Sequence, residues 1–84
     1  MTANLTNKIV LWAAEIAGHA AELPSRQARD DYLAERRSEL AAGAVAEGAS
    51  ESDAAILADA CAEAARAILT ELLAQRAGAP KGRA

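Results

Sequence analysis

Alanine occupies 25 of the 84 positions, while Phe is absent and Trp and Tyr occur once each. Alanine has the best helix propensity of any residue. The β-branched and aromatic residues that fit a pleated sheet are scarce here. The composition therefore predicts an all-α chain. Its length suits one domain. It also predicts a thin core. A domain of this size buries only about 60% of its unfolded surface. Ordering each residue costs roughly 1.5 kcal/mol, so core burial about breaks even. A second copy, or a partner covering more surface, would relieve the shortage.

Proline and glycine divide the chain into three. Leu23-Pro24-Ser25 breaks the first periodic segment, because proline cannot sit inside a helix and pushes Leu23 out of the helical region. Gly48-Ala49-Ser50 breaks the second, and Gly78-Ala79-Pro80 ends the third. Ser50-Glu51-Ser52-Asp53 reads as a capped helix start. Helices are expected over 4–22, 25–47 and 51–77. With short connections, they form an antiparallel three-helix bundle. The domain spans 1–78, followed by a disordered basic tail at 79–84.

The first helix has a seam of 4-3-4-3-4 spacing: Leu5, Ile9, Trp12, Ile16, His19 and Leu23. Trp12 should be its largely buried anchor. Lys8, Glu15 and Glu22 form a thin charged stripe beside it. The remaining face carries Val10, Leu11, Ala14, Ala17, Gly18 and Ala21, with no charge among them. A helix apolar nearly all round is normally covered on more than one side. These six residues are the first candidates for a partner-binding or homodimer surface. The alternative is that they pack against both other helices.

The second helix is weaker as a core element. Leu33, Leu40 and Ala44 form its apolar line, with Arg26, Arg29, Arg36 and Arg37 beside it. Those arginines are expected in salt-bridged packing between helices, their stems on apolar surface. Asp31, Glu35 and Glu39 make an acidic row on the reverse face, a secondary candidate for docking on a basic surface. The third helix has a broad apolar band through Leu57, Cys61, Ala64, Ala65, Ile68, Leu69, Leu72 and Leu73. Asp59, Glu63, Arg66 and Thr70 occupy its wet face, and Ile56 falls on that side, where the core cannot use it. Ile56 joins the secondary candidates.

Catalytic and metal chemistry find no support in the pattern. His19 and Cys61 are the only His and Cys, and each lies on an apolar seam, so a core histidine and a buried thiol are expected. A zinc site needs three or four suitably spaced ligands. No phosphate-binding glycine loop, G-x-S-x-G or H-E-x-x-H occurs. Neither an enzyme nor a cofactor is expected. The net charge of −3 and the acids on the exposed face of the second helix argue against direct nucleic-acid binding. The apolar run Leu40–Ala46 is closed by Glu47, far short of a membrane span, and the start shows no leader pattern. A cytoplasmic protein with protein partners is expected, and a lone cysteine suits a reducing compartment.

The stretches Ile9-Val10-Leu11-Trp12-Ala13-Ala14-Glu15 and Arg29-Asp30-Asp31-Tyr32-Leu33-Ala34-Glu35-Arg36-Arg37, with the size, acidity and three-helix layout, carry a resemblance. The chain resembles the QseM-type antiactivators of rhizobial integrative and conjugative elements. The resemblance implies a protein that binds transcriptional activators, namely a LuxR-type quorum-sensing regulator and an excision activator, and so represses conjugative transfer. It assigns no residue roles. A homo-oligomeric structural module and an antitoxin-like neutralising protein are the alternatives that the residues leave open.

Overall fold

The computed structural model describes the backbone of residues 2–83 and the side chains of residues 7–77. Three helices follow one another: α1 (Thr2–Ala21), α2 (Arg26–Ala46) and α3 (Glu51–Arg83). They form the expected three-helix bundle. The disordered tail expected at 79–84 lies outside the residues described with side chains, as does Leu5; the helical span of α3 itself passes the expected stop at 77.

Local chemistry explains the ends. Ser25 is extended, and its hydroxyl accepts from the Ala28 amide at 3.1 Å, capping α2. Ser50 does the same for α3, accepting from the Asp53 amide at 3.0 Å, as its motif predicts. Between them, Gly48 takes φ of +112°, the only positive φ among the described residues. The Ala49 amide then donates back to the Ala44 carbonyl and the Gly48 amide to the Val45 carbonyl, each at 3.0 Å. This pair of bonds closes α2 as a Schellman motif, which needs a residue free to adopt that backbone.

The bundle is flat. Its principal extents are 53 × 29 × 15 Å. α1 and α2 each pack mainly on α3 and touch one another far less, so α3 is the middle helix. α2 runs antiparallel to α3, with Asp30 beside Arg66 and Arg37 beside Asp59. α1 runs parallel to α3, its last turn level with Arg76.

The core is built largely of alanine. Ala13, Ala17, Ala20 and Ala21 of α1 and Ala54, Ala58 and Ala65 of α3 are buried, with Ile16, Leu33, Cys61 and Leu69. Among the described residues no large side chain is fully buried. Trp12, Tyr32, Ile68, Leu72 and Leu73 pack against this cluster while remaining partly exposed.

This corrects the expected seam of α1. Trp12 is half-buried rather than an enclosed anchor, and His19 is exposed instead of lying in the core. Alanine lets two helix backbones approach closely, so the line of contact runs along Ala13, Ala17 and Ala20, and the larger residues flank it. α2 contributes a single buried residue, Leu33, in keeping with its expected weakness.

Candidate functional site

The structure divides the six-residue face of α1. Ala17 is 0% exposed and Ala21 is 5% exposed, so both belong to the core and are withdrawn as surface candidates. Val10 (51%), Leu11 (70%) and Ala14 remain exposed, and Gly18 is half-buried. At about 100° per residue, Leu11 sits roughly 150° from the middle of the buried line, so it points away from the bundle. A Cβ added at Gly18 would meet nothing within 4 Å. No contact within the chain therefore requires glycine there, although glycine costs about 1 kcal/mol against alanine in a helix.

Lys8 and Glu15 flank this strip and are exposed. Neither enters an ion pair among the described residues, whereas Glu22, seven residues beyond Glu15, is held by Arg76 at 2.9 Å. Arg76 was not singled out by the sequence. Its Nη1 also donates to the Ala21 carbonyl at 2.8 Å, satisfying one of the orphan acceptors at the end of α1 and placing positive charge at the negative pole of the helix. A pairing across 54 residues leaves no local signal that could have revealed it.

The acidic row of α2 is exposed, as expected, but it is not a bare run of charge. The Gln27 side-chain amide donates to Asp31 at 2.9 Å. Arg36 Nη2 donates to Glu39 at 2.6 Å and reaches Glu35 at 3.5 Å. The Arg36 guanidinium also lies 5.2 Å from the centre of the Tyr32 ring, a cation–π distance. One arginine thus offsets much of the charge of two acids.

The other arginines follow the packing expectation unevenly. Arg37 bridges to Asp59 of α3 at 2.6 Å, and Arg29 donates to the Leu23 carbonyl at 3.4 Å. Arg26 is almost wholly exposed and only 4.0 Å from Asp30 within its own helix. Asp59 and Arg66 are exposed, as expected of a wet face, and in addition pair across the edge of the α2–α3 contact.

Leu11 and the acidic row lie on opposite edges of the flat bundle, because each points away from α3. One compact partner surface cannot meet both. Ile56 is 65% exposed, on the outer side of α3 as its helical phase predicts. Val45, 40% exposed near the end of α2, was not among the candidates.

His19 and Cys61 do not form a pair. His19 is exposed in the last turn of α1, level with the Arg76 end of α3, while Cys61 lies 15 residues before Arg76, roughly 22 Å along that helix. Cys61 is buried, and desolvation pushes its thiol pKa up. A thiol reagent should therefore label it far more slowly in the folded protein than after denaturation, because the thiolate is the nucleophile. Equal rates would place Cys61 at the surface. Linkage adds a second readout. The folded pKa is raised, so this stabilisation is complete below the unfolded value of about 8.5 and is lost as pH rises through the folded value. Among the described residues no three metal-ligating side chains converge.

No family model, curated protein or solved structure matches the chain. None of the described helices is long and apolar enough to cross a membrane.

Proposed function

We propose that this protein is a cytoplasmic, non-enzymatic regulator that works by binding another protein, most specifically an antiactivator of the QseM type. In this reading it binds a LuxR-type quorum-sensing activator and an excision activator and represses conjugative transfer. The family assignment rests on the sequence resemblance. The observation that carries the binding role is the exposure of Val10 and Leu11, two large apolar side chains left in water on the outer side of α1 of a small domain. Contiguous exposed apolar surface of this kind commonly marks an interaction site.

The mechanism is occlusion. The outer strip of α1 sits against an apolar surface that the activator needs for its own contacts. Asp31, Glu35 and Glu39 would then serve a separate contact on the other edge. The alternative of a homo-oligomeric structural module draws support from the alanine core, which leaves half-buried Trp12, Leu72 and Leu73 short of cover.

The test is Leu11→Asp and Ala14→Arg, titrated against a purified LuxR-type activator. Both variants should keep wild-type helix content by circular dichroism. Binding should weaken by about 30-fold or more, the loss typical of a hot-spot residue. Folded variants that bind as the wild type does would remove α1 from the interface.

A further inference from the structure

We propose that the outer strip of α1 closes on the same strip of a second copy, antiparallel about a twofold axis near residues 12 and 13. Asn7, Leu11, Ala14 and Gly18 recur at 4-3-4 spacing, the spacing of a coiled-coil seam, and this second seam faces away from the core. In the antiparallel setting Leu11 of one copy lies over Ala14 of the other, and Asn7 lies over Gly18. Large residues therefore meet small ones, and the open space around Gly18 is where the opposing chain comes close.

Charge selects the orientation. Lys8 and Glu15 occupy the same flank of the seam, one heptad apart, and neither has an ion-pair partner among the described residues. An antiparallel pair brings Lys8 of each copy to Glu15 of the other, forming two symmetric bridges. A parallel pair would put the two charged flanks on opposite sides of the seam and form neither bridge. Because α1 is an edge helix of a flat bundle, a second α1 can approach without displacing α2 or α3. Twofold closure also satisfies the usual geometry of soluble homodimers.

A contact between single helices is small beside the 1,200 Å² or so of stable interfaces, so the dimer exchanges with monomer as concentration falls. It occupies the face assigned above to an activator, and the two occupants exclude one another. The dimer does not rest on that reading, since it is measured on the pure protein.

Sedimentation equilibrium over a wide concentration series is the test, with circular dichroism on the same samples. The wild type should associate, and Leu11→Asp should remain monomeric. Lys8→Glu and Glu15→Lys should each weaken association about fivefold or more, within what two lost exposed ion pairs and the new repulsion supply. The double variant Lys8→Glu/Glu15→Lys should recover wild-type association, because the pairs re-form with their signs exchanged. A wild type that stays monomeric throughout, or a Leu11→Asp variant that associates normally, overturns the dimer. A double variant no better than its parents overturns the antiparallel arrangement proposed here.

Discussion

Ala17→Asp should leave the chain without a cooperative thermal transition, while Ala14→Asp, three residues away, should melt close to the wild type. Ala17 of α1 is fully buried within the apolar cluster that α3 completes. An unpaired carboxylate there costs several kcal/mol even after relaxation. Small domains have on the order of 0.05–0.15 kcal/mol of stability per residue, so this one charge removes much of the total. Ala14 is exposed, and the same carboxylate there stays hydrated. Circular dichroism melts of the two variants decide the matter. If Ala17→Asp melts like the wild type, α1 does not sit on α3 by this face. If Ala14→Asp unfolds, the strip read as a binding surface is core.

Leu69→Ala should destabilise the protein by about 2–5 kcal/mol, the range for a buried leucine. Among the described residues Leu69 is one of four buried ones larger than alanine, with Ile16, Leu33 and Cys61, and it belongs to the cluster that α1 and α2 both cover. For a domain of this length each kcal/mol moves the midpoint by roughly 4–8 °C, so the fall should exceed about 8 °C. Trp12→Ala should cost less than the 3–5 kcal/mol or so typical of a buried aromatic, because Trp12 keeps part of its surface in water. Denaturant titration of both variants checks the order. A larger loss at Trp12 than at Leu69 would restore tryptophan as the anchor and contradict the alanine core.

The helices were legible because their signals are local. Ser25 and Ser50 cap within three residues, and Gly48 closes α2 through its own backbone freedom. The direction α1 faces was not legible. Weighting by bulk picks the line through Ile9, Trp12 and Ile16, whereas the contact follows Ala13, Ala17 and Ala20, rotated by roughly 80° on the helical wheel. Which line wins depends on what α3 presents, and in the cluster with these alanines α3 presents Ala65, which favours close approach over a large inserted side chain. The outer position of Leu11 was readable in part, since no single core can use all sides of an apolar helix. Its two former companions, Ala17 and Ala21, could be assigned only once the neighbour was in place. The opposition of Leu11 and the acidic row depends on α3 lying between α1 and α2, and no spacing within one helix encodes that.

An alanine seam holds two helices near one another without fixing how far along each other they sit. Buried positions on α3 recur every three or four residues, at Ala54, Ala58, Cys61, Ala65 and Leu69. An axial slip of one turn, about 5.4 Å, would put Ala58 where Ala54 was and Ala65 where Cys61 was, leaving Leu69, moved to the place of Ala65, as the one misfit. Beyond that leucine, what resists the slip is charge. Asp30 would lose Arg66 and face Ala62 or Thr70, and the Arg76 clasp would leave the end of α1. These clasps are exposed and weaken as salt screens them. At high ionic strength the helices should persist while their mutual setting slackens, which gives this small fold a mechanical looseness that its helix content alone does not disclose.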